Sequence, residues 1–242
     1  MPPLLSVDCL SKYFAGLAAL KDVSFQVEEG QVCGLIGPNG AGKTTLFSII
    51  AGSATPTSGK VSFQGKDITK WKSFEAVRAG VVRTHQITRP FRAMTAQENV
   101  EVALHSGRGR TGVATGSGVT EILEQVGLAH VAGSIAATLC VGDQKRLELA
   151  RTIATRPKLL LCDEVCSGLT ENEMNEILEL LRQIRKQGTT ILYVEHNMRA
   201  IMSVCDQVVV LNFGQKLTEG SPDQIQNDAA VIEAYLGKPS LG

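Results

Sequence analysis

The residues Gly37-Pro38-Asn39-Gly40-Ala41-Gly42-Lys43-Thr44 set three glycines, a lysine and a hydroxyl in the spacing that cradles a triphosphate. Amides freed by glycine can converge on a phosphate, and a helix starting behind the loop adds positive potential. Lys43 would reach the β- and γ-phosphates, and the Thr44 hydroxyl would bind Mg²⁺. Thr45 opens the helix expected to follow. Phosphoryl transfer also needs a second metal ligand and a base. Asp163 and Glu164, directly after the apolar run Leu159–Cys162, would supply them: Asp163 on Mg²⁺, largely through water, and Glu164 polarising the attacking water. Two further polar residues, Gln86 and His196, also follow apolar runs but carry no weight by themselves.

These groups can meet only if strands deliver them to one edge. Candidate strands are Leu4–Cys9, Val23–Val27, Val32–Ile36, Lys60–Phe63, Val81–Thr84, Leu159–Asp163, Thr190–Glu195 and Gln207–Leu211. Helical periodicity is clearest over Glu171–Lys186, where Met174, Ile177, Leu178, Leu181 and Ile184 share a face and Gly188 follows as a stop. Asp143–Thr155 reads as another helix, and Thr95–Val126 as helices around a glycine-rich tract, Ser106–Gly118. The pattern predicts an α/β fold with a largely parallel sheet, some antiparallel strands near the N-terminus, and a helical insert at about 87–155 between core segments at about 1–86 and 156–242.

Composition excludes several classes. With 24 basic and 24 acidic residues the formal net charge is zero, so there is no electrostatic reason to expect nucleic acid. No apolar run reaches the length of a membrane span, and the N-terminus lacks a secretory pattern. The six cysteines form no CxxC pair, and the pair flanking the carboxylates, Cys162 and Cys166, has no neighbouring histidine to complete a zinc set; reduced cytoplasmic thiols are expected.

In this order the pieces resemble the nucleotide-binding subunit of ATP-binding cassette (ABC) transporters, a P-loop NTPase core with an antiparallel β subdomain and an inserted helical subdomain, and the resemblance covers nearly the whole chain. Leu139-Cys140-Val141-Gly142-Asp143, followed by Gln144-Lys145-Arg146, is similar to the family's LSGGQ signature and its basic helix. The resemblance implies that Gln86 senses Mg²⁺ and faces the membrane subunit. It makes His196 the switch histidine on the γ-phosphate, Phe14 the aromatic that stacks on adenine (with Tyr13 as fallback), and Ser167–Thr170 the D-loop. Arg83–Gln86, Val141–Arg151, Glu195–Met198, Gly220–Ile225 and Ala234–Gly237 further resemble the branched-chain amino acid importer ATPases, whose relatives also handle other amino acids, urea or amides.

The implied chemistry is hydrolysis of ATP with Mg²⁺, shared between two cassettes. Each would offer its signature (here Cys140, Gly142 and Asp143) to ATP on the other's phosphate loop. The implied partners are a second ATPase subunit, identical or different, transmembrane permease subunits, and indirectly a periplasmic or extracellular solute-binding protein. The chain would sit peripherally on the cytoplasmic side of the inner membrane, with the segment Ile87–Asn99 lining a groove for a permease helix. A lipid or drug exporter with the same engine is the alternative. Cys140 stands in place of the signature serine, Asp143 in place of glutamine, Val165 in place of a proline and Thr170 in place of the D-loop aspartate. A thiol is a poorer donor than a hydroxyl.

Overall fold

The computed structural model describes residues 2–84, 90–106 and 116–236. In chain order the strands are β1 (Leu5–Phe14), β2 (Leu17–Val27), β3 (Val32–Ile36), β4 (Ser58–Phe63), β5 (Lys66–Asp67), β6 (Val81–Arg83), β7 (Leu159–Asp163), β8 (Thr190–Val194), β9 (Gln207–Asn212) and β10 (Gln215–Gly220). The helices are α1 (Lys43–Ile50), α2 (Ser73–Ala79), α3 (Ala96–Ser106), α4 (Gly116–Gln125), α5 (Val141–Ala154), α6 (Glu171–Lys186), α7 (Met198–Val204), α8 (Pro222–Gln226) and α9 (Ala229–Leu236).

Strands β3, β7 and β8 are buried at every residue, as expected for apolar runs covered on both faces. They belong to a six-stranded sheet of order β10-β9-β3-β8-β7-β6, parallel except for β10. Strand alternation divides their side chains between two cores. Leu160 and Cys162 face the layer that holds α5, α6 and α7, while Leu159 and Leu161 face α1 and a second, antiparallel sheet of order β2-β1-β4-β5. Between β6 and β7, helices α3, α4 and α5 pack on one another through Val100, Leu123 and Leu147.

Register is what matters for the site. Leu35 and Asp163 both pair with Val194, and Ile36 pairs with Val210. The carboxyl ends of β3, β7 and β8 therefore lie level, and the segments starting at Gly37, Glu164 and Glu195 leave the sheet from one edge.

Several bounds differ from the sequence reading for local reasons. β1 and β2 run well past Leu4–Cys9 and Val23–Val27 because irregular register between Val7 and Tyr13, with Cys9 at φ 45°, breaks the period-two pattern. β10 is a polar edge strand without an apolar run, and the reading places no strand there. Nor does it place helices at α2, α7, α8 or α9, all of eight residues or fewer. The helix expected at Asp143 starts instead at Val141, because Cys140 caps it and its Sγ accepts from the Asp143 amide at 3.4 Å. Within the expected glycine-rich loop, 107–115 lies outside the described residues.

Candidate active site

The phosphate loop is shaped by contacts only glycine permits. Gly37 has φ 150°, and a Cβ there would run into the Leu211 carbonyl; Gly42, at φ 101°, would place one 2.6 Å from the Ala19 carbonyl. The Gly214 amide, in the β9–β10 turn, donates to Ala41 O at 3.2 Å and braces the loop from outside. Gly42 caps α1 with no side-chain bond, so first-turn amides are left for a ligand. The buried Lys43 ammonium curls over the loop, donating to Gly37 O at 2.6 Å and Pro38 O at 3.0 Å. Burial pulls its pKa below the ordinary lysine value, while Glu164 and Asp163 act in the opposite direction.

Asn39, Gly40, Ala41, Gly42, Lys43, Thr44 and Thr45 line a cleft of about 310 Å³ together with Ala19, Glu164 and His196. Thus a single cleft gathers the phosphate loop, the base candidate and the histidine. Glu164 sits in the left-handed region at φ 48°, with its amide on Val194 O at 3.0 Å. That turn swings its carboxylate out of the sheet edge, where Oε1 lies 2.5 Å from His196 Nε2. Glu164 is mostly covered and His196 is 44% exposed, so the pair faces the open side of the cleft.

Asp163 is buried at the end of β7, its amide donating to Thr84 Oγ1 at 3.0 Å. Its Oδ2 is 2.5 Å from Arg83 Nη2, a pairing to which the sequence reading assigns nothing. Two other charged residues without an assigned role also shape this edge. Buried Glu195 accepts the Cys166 amide at 2.9 Å and the His196 amide at 3.2 Å, tying the segment after Glu164 to the one after β8. Lys145, buried on α5, reaches the Glu164 carbonyl at 3.4 Å. Glu195 next to His196 at a strand end is a readable cue; Lys145 and Arg83 offer none, since their partners are distant in sequence.

Other predicted residues lie apart from the cleft. Phe14 ends β1, is 52% exposed, carries Lys12 Nζ 4.8 Å from its ring centre, and does not line the cleft. Cys140, Gly142 and Asp143 do not line it either. Cys140 is exposed and Asp143 half-buried at the α5 N-terminus, whereas a Cβ on buried Gly142 would meet Glu173 Oε1 at 2.6 Å. Thr170 caps α6 in a reciprocal box with Glu173, which is what its hydroxyl does in this chain. Gln86 and the first part of the groove segment, 87–89, lie outside the described residues. Beyond them, buried Asn99 holds Phe91 through both its amide and its carbonyl, leaving the Phe91 ring exposed beneath Arg151. Burial pushes the Cys162 thiol well up and that of Cys166 to about 12, so both stay protonated and poor metal ligands.

A phosphate loop, a carboxylate pair and a histidine at one sheet edge occur in more than one enzyme class, and comparison with known proteins decides between them. Residues 20–167 match the family model described as ABC transporter. The chain belongs to that family. Residues 215–239, from β10 into the C-terminal segment, match a second model, that of the branched-chain amino acid ATP-binding cassette transporter. The high-affinity branched-chain amino acid transport ATP-binding protein BraF of Pseudomonas aeruginosa is 40% identical, with 98% of each chain covered. The corresponding LivG protein of Escherichia coli K12 is 39% identical over the same share. The crystal structure of an ABC transporter cassette in its ADP conformation matches with a TM-score of 0.87 at 30% identity, covering 98% of this chain and 100% of that one. This ABC chain is therefore an ATP-binding cassette of the branched-chain amino acid type.

Proposed function

We propose that this chain hydrolyses ATP to power import of branched-chain or closely related amino acids across the cytoplasmic membrane. The observation that carries the enzymatic part is the Glu164–His196 pair, 2.5 Å apart at the mouth of the phosphate-loop cleft. There Glu164 takes the proton of the attacking water as its oxygen bonds to the γ-phosphorus, and the bond to the β-phosphate oxygen breaks to leave ADP. Lys43, swung from its loop carbonyls, and the α1 amides hold the phosphate charge, while His196 keeps the Glu164 carboxylate aimed.

The donor set suits Mg²⁺. Among the described residues no cluster of three or more His, Cys, Asp or Glu could hold a metal. Asp163 and the Thr44 hydroxyl are hard oxygen donors of the kind that share Mg²⁺ with water and substrate phosphates. Bound there, the ion would neutralise charge on the β- and γ-phosphates. Phe14 is the adenine platform, reached by the nucleotide outside the cleft.

The signature at Cys140–Asp143 lies apart from the cleft, and this supports a working form of two cassettes, each completing the other's ATP site. Closure is favoured by ATP because ATP contacts both chains. The helices around 87–155 form the helical subdomain, and exposed Phe91, a short way past Gln86 in the sequence, borders the groove that takes a permease helix. Among the described residues no helix is long and apolar enough to cross a membrane. Attachment through permease subunits to the cytoplasmic side fits that. The test is reconstitution with the permeases in proteoliposomes. ATP turnover should rise when a solute-binding protein loaded with leucine, isoleucine or valine is added; stimulation by other cargo only would overturn the importer assignment.

A further inference from the structure

Arg83 is the residue on which the metal side of the site converges. Its Nη2 lies 2.5 Å from Asp163 Oδ2, and its Nη1 donates to Ser48 Oγ at 3.2 Å. Ser48 in turn donates to the Thr44 carbonyl at 2.8 Å. The guanidinium carbon stands 5.7 Å from the centre of the buried Phe47 ring, within reach of cation–π attraction. Arg83 also ends β6, three residues before Gln86. One side chain thus touches the carboxylate at the end of β7 and the first turns of α1, from the strand that leads to Gln86.

Two details separate this from an ordinary stabilising ion pair. The contact uses a single Asp163 oxygen, and among the described residues no hydrogen bond occupies the other, Oδ1. A bidentate clasp, the usual Arg–carboxylate arrangement, would have engaged both. In addition, Arg83 Nε is buried without a hydrogen-bond partner, an unfavourable feature in a residue selected for stability alone. Splitting the fork between Ser48 and Asp163 accounts for both.

We propose that Arg83 is a positioning residue for the metal side of the site: it holds Asp163 with one oxygen turned to the ion and ties that carboxylate, through Ser48, to Thr44. Lysine cannot span both partners from one rigid plane, so it is an incomplete substitute. The inference rests on the reading of Asp163 and Thr44 as metal-side residues.

The test measures binding of a fluorescent ATP analogue to the full chain across a Mg²⁺ titration, without turnover. In Arg83→Met, affinity without Mg²⁺ should stay near wild type, while the Mg²⁺ needed for half-maximal tightening rises about tenfold, as for loss of a ligand-orienting partner. Arg83→Lys and Ser48→Ala should shift it less, in the same direction. A wild-type Mg²⁺ midpoint in Arg83→Met overturns the proposal, as does an equal loss of Mg²⁺-free binding, which marks a merely structural role. If Arg83→Met does not fold, unchanged midpoints in both Arg83→Lys and Ser48→Ala overturn it. Asp163→Asn separates the two claims. Retained Mg²⁺ tightening there refutes the metal reading itself, whereas lost tightening there beside a normal Arg83→Met refutes only the role of Arg83.

Discussion

The phosphate-loop end and the signature end of this chain are built on opposite terms. At the first, the lysine, the loop carbonyls and the glycine contacts satisfy one another: Lys43 lies on Gly37 O and Pro38 O, and Ala41 O takes the Gly214 amide. At the second, α5 begins at an exposed cysteine that caps the helix through a 3.4 Å sulfur bond. Yet the helix behind that exposed turn is firmly moored, with Arg146 on Glu176, Gly142 against Glu173 and Lys145 on the Glu164 carbonyl. One end is finished within the chain. The other is a moored helix with an open tip, the arrangement that the proposed two-cassette form would use.

Substitutions at either end probe this contrast, and the largest effect is expected at the finished one. Lys43→Ala removes the phosphate contact and leaves two loop carbonyls without their ammonium, so nucleotide affinity should fall about a hundredfold, by titration with a fluorescent ATP analogue. Near wild-type binding would undo the phosphate-loop assignment. At the open tip the effect is smaller. Cys140→Ser exchanges a weak cap and weak donor for a better one, so ATP-dependent dimerisation should strengthen roughly threefold to tenfold, by sedimentation in a hydrolysis-deficient background. If the gain appears only as a higher melting temperature of the ATP-free chain, the serine is improving the cap alone and the thiol does not limit the shared site.

How much the sequence reveals of each part follows from how that part is stabilised. The bounds of β3, β7 and α6 are legible because strands buried on both faces and a capped amphipathic helix carry their own patterns. The cleft residues from Asn39 to Thr45, with Glu164, are legible because they stand at the ends of such strands, whereas His196, also past a strand end, enters only through the family resemblance. The charged residues that hold them are not: Arg83 meets Asp163 across 80 positions and Lys145 meets Glu164 across 19, and no local pattern announces such partners. Thr170 is a different case. Thr170-Glu171-Asn172-Glu173 has the spacing of a capping box, a pattern legible in the residues alone, and the helix cap explains the hydroxyl without reference to a partner chain.

If Glu164 is the base for ATP held on this chain's own phosphate loop, its loss must show in the release of γ-phosphate. The decisive measurement is single-turnover release by Glu164→Gln in the assembled transporter, alongside retention of bound ATP. Release should slow by about 10²–10⁴-fold while ATP stays bound and the cassettes stay paired. Release at the wild-type rate would remove Glu164 from the chemistry and leave the cleft without a base.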